Sequence, residues 1–194
     1  RWFKPKSKNG WIISKEYAVE IGNYLGWEIK DFETHWPGRS QNKVNWIPDV
    51  KCRVSAAHNV ESIRNDLNLI KGKHIMLIGM TRKANLDNAL ESLNNYRKCI
   101  HTIVTEPRGG RNYAVKSTEI SLKLSRLGFK KIEKLDDPIE AFKKTIIIAE
   151  KLKSQVLVIG SIYLVGEIMN YVIIRDNLDI NDILTIHPPL KSAI

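Results

Sequence analysis

The sequence predicts an α/β domain built on a mostly parallel sheet, and three observations carry that prediction. From about Val50 onward, short runs rich in β-branched residues alternate with stretches whose apolar residues recur at helical spacing. The run Val156-Leu157-Val158-Ile159 is apolar without interruption, as in a strand buried on both faces. It breaks at Gly160-Ser161 and resumes at helical spacing with Leu164, Ile168 and Val172, so a strand passes directly into a helix. Such units need crossover connections and helices on both faces of the sheet, an arrangement that is Rossmann-like.

Taken in order, the opening segment stands apart. All five tryptophans (Trp2, Trp11, Trp27, Trp36, Trp46) fall in the first 46 residues. This shift in composition predicts a short Trp-rich helical segment ahead of the α/β domain. Residues 1–38 read as a remnant of, or linker from, a preceding domain, and residues 39–194 as the domain itself. Ser14 is placed to cap a helix reaching Gly26, with Tyr17, Ile21 and Leu25 on one face. A second short helix over 28–35 stops at Pro37-Gly38.

Strands are then expected at 52–56, 75–80, 100–105 and 131–135, the last being the most polar, before the 156–159 run. The intervening helices turn Ile63 and Leu67, then Leu86, Leu90, Leu93 and Tyr96, then Ile120 and Leu124, toward the sheet. Asp137-Pro138 opens the next helix, which carries Phe142 and Ala149 inward. The tail after Asp176 reads as a loosely packed excursion.

At 194 residues the chain can bury one domain plus an appendage. No apolar run approaches the ~18 residues of a membrane-spanning helix, so no membrane is expected as a partner. Two cysteines, Cys52 and Cys99, fall in predicted strands; a buried thiol and a reducing cytoplasm fit them better than a disulfide framework. The formal charge of +10 comes from Lys and Arg spread along the chain, with no basic block interleaved with aromatics. Anionic small molecules are therefore expected and nucleic acid is not. The chain starts at Arg1 rather than Met, so a piece of a longer protein is expected. A monomer is expected as well.

In an open α/β sheet, ligands gather at the carboxyl ends of the strands. Ser55-Ala-Ala-His-Asn59 follows the first strand, where His58 and Asn59 are suited to a carboxylate or phosphate; equally, Asn59 or Ser55 caps the helix. Gly79-Met-Thr-Arg-Lys83 follows the second, as a phosphate-facing loop or a solvated turn. Trp36-Pro-Gly-Arg39 presents a guanidinium on a tight turn, and Arg108 sits in a Gly-rich loop. Ser161 opens the final helix as an N-cap with Tyr163 beside it. His101, inside a strand, reads as a core histidine. There is no G-x-x-x-x-G-K-[ST] loop and no metal-ligand spacing of Cys or His.

Four of these stretches in this order, Trp36-Pro-Gly-Arg39, Ser55-Ala-Ala-His-Asn59, Ile78-Gly-Met80 and Val158-Ile-Gly-Ser-Ile-Tyr-Leu-Val-Gly-Glu167, resemble the carboxyl-terminal half of folylpolyglutamate synthase/dihydrofolate synthase, in the Mur ligase group. The likeness spans about residues 34–175. It implies an ATP- and Mg²⁺-dependent ligase that activates a folate or pteroate carboxylate as an acyl phosphate, which the amine of L-glutamate attacks. By position it implies ATP contacts at Arg39 and Ser55, and glutamate contacts at His58, Ser161 and Tyr163. Ser55 stands where the family usually has Asp, and Arg82-Lys83-Ala84 where it usually has Asp-Lys-Asp. The family's amino-terminal domain, with its phosphate loop and metal ligands, is not in this chain. On its own the chain is therefore expected to be inactive: an excised domain, half of a split enzyme, or the product of a decaying gene.

Overall fold

The computed structural model describes residues 4, 6, 10–27, 43–44 and 50–178. The chain divides into two compact units, Arg1–Thr34 and His35–Ile194.

In the first unit, α1 spans Gly10–Tyr24. It starts ahead of Ser14, which lies inside the helix rather than capping it. Its end is set by Gly26, whose φ of +72° suits the left-handed closing position, with Trp27 N–H returning to the carbonyl of Gly22 at 2.8 Å. The helix holds one of the five tryptophans, Trp11, and Trp2, Trp36 and Trp46 lie outside the described residues. Ile21 and Tyr24 are exposed. The second helix expected over 28–35, the Trp36–Arg39 turn and the tail beyond 178 lie outside the described residues.

The second unit is the α/β domain. Its strands are β1 (Lys43–Val44), β2 (Cys52–Val54), β3 (His74–Ile78), β4 (Cys99–Val104), β5 (Ile132–Lys134) and β6 (Gln155–Ile159). Its helices are α2 (Val60–Leu69), α3 (Leu86–Glu91), α4 (Ser117–Arg126), α5 (Pro138–Lys151) and α6 (Ile162–Asp176). The sheet order is β1-β2-β6-β3-β4-β5. Five strands are parallel; β1 pairs antiparallel with β2 at one edge and is too short for a sequence pattern to reveal.

The uninterrupted apolar runs are explained by two cores, one on each face of the sheet. Ile75, Leu77, Val156 and Val158 face Phe142, Ala149, Leu164, Ile168 and Val172 of α5 and α6. Met76, Ile78, Leu157 and Ile159 face Ile63, Leu67, Leu90, Ile120 and Leu124 of α2, α3 and α4. Burying a side chain of this size contributes ~1.5–3 kcal/mol, so β3 and β6 anchor the fold. Helix α3 ends at Glu91, short of Leu93; Leu93 is still fully buried, in turns that lead to Asn95 at φ 62°.

Cys52 is fully buried, which pushes its thiol up to about 12 and leaves it protonated. Among the described residues no helix is long and apolar enough to cross a membrane.

Candidate functional site

The chain leaves β6 for α6 on one face of the sheet, whereas β2 and β3, on either side of β6, lead to α2 and α3 on the other. Neighbouring strands whose connections part in this way open a crevice at their carboxyl ends. Glycine lets the crevice floor close up. Gly160 adopts φ +115°, and a Cβ there would lie 2.6 Å from the carbonyl oxygen of Gly79. The Gly160 amide donates to the carbonyl of Ala57 at 3.0 Å, and the Ser55 amide to that of Val158 at 2.8 Å. The turn after β2 and the start of α6 therefore share one rim.

On that rim His58 is half-buried, and its Nδ1 lies 2.8 Å from the carbonyl oxygen of Ala56. That acceptor holds the proton on Nδ1 and leaves Nε2 as the nitrogen that accepts when the ring is neutral and donates when it is charged. Asn59 caps α2: its side chain accepts from Ser62 N–H at 2.9 Å, and Ser62 Oγ accepts from the Asn59 amide. Asn59 is thus a structural residue.

Ser55 is buried, with no exposed surface. Its hydroxyl donates to the carboxylate of Asp66, one turn from the end of α2, and accepts from the Ala57 amide at 3.0 Å. With no exposed surface, the Ser55 hydroxyl is out of reach of a bound nucleotide in this arrangement, its proton given to α2 and one lone pair to the turn. Sequence reasoning missed Asp66. Its signal was weak: a carboxylate eleven residues after Ser55, next to the buried Leu67 on α2.

Ser161 caps α6, accepting from the Tyr163 amide at 3.2 Å. Among the five helices on the sheet, α2 to α5 each carry an acidic residue in the first turn and α6 carries none. The positive end of α6 is therefore not neutralised by its own side chains. The ring of Tyr163 lies against Gly110, where a Cβ would be 3.1 Å from both Tyr163 Cδ2 and Thr81 Cγ2.

Gly110 belongs to the loop after β4, which straps over the end of β3. Val115 N–H bonds the carbonyl of Met80 at 2.8 Å and Arg82 N–H that of Tyr113 at 2.9 Å. The Arg108 amide donates to Glu167 on α6, and its guanidinium pairs with Asp137, the cap of α5. Burial raises the Glu167 carboxyl pKa, and the Arg108 contacts oppose that shift. Hydrogen bonds from the Glu140 amide hold Asp137 below the usual carboxylate range. Glu106 closes the strap against Lys116 at 2.9 Å and the Ser117 amide at 2.9 Å.

Arg82, at the second turn, is paired with Glu119 of α4 at 3.0 Å, which favours the solvated-turn reading. His101 is partly buried, with Nε2 2.8 Å from Glu133 Oε1 but without the alignment of a hydrogen bond. Arg39 lies outside the described residues. Among the described residues there is no group of three His, Cys, Asp or Glu side chains that could hold a metal ion.

No protein-family model matches the sequence, and no curated protein matches it. Solved structures do share the fold. Mycobacterium tuberculosis folylpolyglutamate synthase, complexed with ADP and AMPPCP, superposes with a TM-score of 0.66 at 13% identity, covering 83% of this chain and 38% of that one. The bifunctional folylpolyglutamate synthase/dihydrofolate synthase of Yersinia pestis, complexed with AMPPNP and Mn, gives 0.65 at 19% identity, over 82% and 38%. A bifunctional synthase with Mn, AMPPNP and L-glutamate bound gives 0.64 at 18% identity, over 83% and 39%. The chain thus spans about two-fifths of the length of these enzymes, and its α/β fold is theirs.

Proposed function

We propose that the chain is the carboxyl-terminal, glutamate-binding domain of an ATP-dependent folate–glutamate ligase, working in the cytoplasm with an amino-terminal ATPase domain in cis or in trans. In this reading a folate or pteroate carboxylate is activated as an acyl phosphate, and the amine of L-glutamate displaces the phosphate to form the amide. One observation carries the reading: the turn bearing His58 and the unneutralised start of α6 are tied together through Gly160 and Ala57. The start of α6, with Ser161 and Tyr163, receives a carboxylate of glutamate. His58 receives the second charged group. Its charged ring donates from Nε2 to a carboxylate, and its neutral ring accepts from an ammonium.

Arg39 contacts the ATP phosphates in this reading. Ser55 positions the turn, and Asp66, bonded to it, supplies the carboxylate that faces the nucleotide. The described residues do not fit Mg²⁺, whose ligands belong to the other domain. The test is ADP release by the ligase reconstituted with its ATPase domain, followed with and without L-glutamate. His58→Ala and Arg39→Ala are expected to lower turnover at least tenfold, of the order seen when one positioned group is lost. Wild-type turnover in both variants contradicts the reading.

The burial of Ser55, at the position the resemblance gives to a nucleotide contact, favours a second reading, an anion-binding module without catalysis. Calorimetry with ATP and ADP separates the two. Sub-millimolar nucleotide affinity supports the ligase domain, and glutamate binding without nucleotide binding supports the module.

A further inference from the structure

The amino edge of the sheet, opposite the crevice, carries a row of cations. Each parallel strand is preceded by an exposed lysine: Lys51 before β2, Lys73 before β3, Lys98 before β4, Lys131 before β5 and Lys153 before β6. Lys71, Arg97, Lys130 and Lys151, all exposed, add a second cation beside four of them. In the sequence these residues are widely separated and form no block; parallel pairing brings them to one edge.

Backbone bonds hold the row in place. Val156 N–H bonds the carbonyl of Lys51 at 2.8 Å, His74 N–H that of Lys98 at 3.1 Å, and Thr102 N–H that of Lys131 at 2.8 Å. The Gln155 side chain donates to the carbonyl of Lys71. A groove of about 380 Å³ between Lys51 and Lys153 is lined by Ser154, Gln155 and Glu150.

The row concentrates much of the domain's positive charge on one edge. Residues 50–178 contain 22 Lys and Arg against 13 Asp and Glu, an excess of nine, and nine cations stand on this edge. Away from the edge some cations are paired, as in Arg82–Glu119, Arg108–Asp137, Lys116–Glu106 and Lys143–Glu140, while others, such as Arg64, Lys134 and Lys144, join no ion pair among the described residues and are scattered over the surface. Among the described residues none of the nine joins an ion pair. Acids close to the edge are Glu91 and Glu150, near the ends of α3 and α5, and Glu133, two residues after Lys131, which faces His101 Nε2 at 2.8 Å. His74, at the start of β3, is buried and adds no charge. The carboxyl ends of α2 to α6 point this way, but at roughly half a negative charge each they offset only about two to three of the nine.

The shape and chemistry of the row select a partner. Strands lie ~4.8 Å apart, so the row is about 20 Å long, and a nucleic-acid duplex presents about a dozen phosphate charges over that distance. The side chains are mostly lysines, flexible point charges without the planar fork that reads base edges. In residues 50–178 the exposed aromatic is Tyr113, on the strap at the opposite edge, so base stacking has no platform here. A bilayer surface would draw on apolar insertion, and the exposed Leu69 and Leu152 sit on helices that pack against opposite faces of the sheet. We propose that this edge binds the phosphate backbone of duplex nucleic acid without reading its sequence.

The test titrates the whole 194-residue chain into labelled DNA and RNA duplexes of mixed sequence, with fluorescence anisotropy from 50 to 200 mM salt. Binding is expected to one or both duplexes, weakening roughly two-hundredfold over that range, as neutralising four to five phosphates requires. The triple variant Lys73→Glu/Lys131→Glu/Lys153→Glu should bind about a hundredfold more weakly. Arg64→Glu/Lys134→Glu/Lys144→Glu, with the same charge change away from the edge, should lose no more than about tenfold. All six positions are exposed, and circular dichroism confirms that both variants stay folded. Absence of binding at 50 mM salt, equal losses in the two variants, or binding to phosphatidylserine vesicles that duplex fails to compete would each overturn the proposal.

Discussion

The amide of Gly160 donates to the carbonyl of Ala57 at 3.0 Å, tying the end of β6 to the turn that follows β2. Residues separated by a hundred positions in sequence thus become neighbours on the rim that carries His58 and Ser161. Gly160→Ala tests that closure. The substitution forces a side chain into φ +115° with its Cβ 2.6 Å from the Gly79 carbonyl oxygen. A loss of about 2–4 kcal/mol is expected in urea unfolding, from backbone strain plus displacement of the strand ends.

Ser55 and Asp66 behave as one unit. Ser55→Asp should be destabilising by about 2 kcal/mol or more, because it buries a second carboxylate beside the first. Exchanging the pair, Ser55→Asp with Asp66→Ser, restores one carboxylate and one hydroxyl and should recover most of the loss. A double-mutant cycle measures this; additive losses would mean the two side chains do not interact.

Asn59→Ala removes the side-chain acceptor that caps α2. About 1 kcal/mol should be lost, lowering Tm by roughly 2–4 °C in a domain of this size. Calorimetry checks it, and Asn59→Ser should be nearly neutral.

His74 is fully buried at the start of β3, its ring 5.4 Å from that of Tyr96 at a tilt of 46°, and neither ring nitrogen makes a well-aligned hydrogen bond, the Gly72 backbone being only a weak neighbour. Burial lowers its pKa from 6.5 to about 4, with Lys98 adding to the effect and the Gly72 backbone opposing it. Between these values the unfolded chain binds the proton and the folded chain does not. Stability is therefore complete above pH 6.5, falls as pH drops towards 4, and levels off below. The loss should be on the order of 3 kcal/mol, and His74→Leu should flatten that part of the stability–pH curve.

Much of the α/β domain was legible in the sequence because strands buried on both faces write continuous apolar runs, and helices write a 3.6-residue period. The Asp137-Pro138 start of α5 and the Ser161 cap of α6 were visible for the same reason: capping is chemistry between near neighbours. What the sequence hid depends on distant pairing. Strand β1 is two residues long, the engagement of Ser55 requires a partner on the next helix, and the lysine row exists only once five strands lie parallel. Ser14 misled because a serine followed by an apolar period looks like a cap even when the helix begins earlier. The strap role of Arg108 was invisible because its partners, Asp137 and Glu167, come from two later helices.

The most direct measurement is a nuclear magnetic resonance titration of the whole labelled chain with L-glutamate up to about 10 mM, a range that reaches weak millimolar affinity. Shifts at the Ser161 and Tyr163 amides and at the His58 ring should saturate together with one dissociation constant, and disappear in Tyr163→Ala. Shifts at one turn without the other, or none at all, would contradict a shared glutamate site.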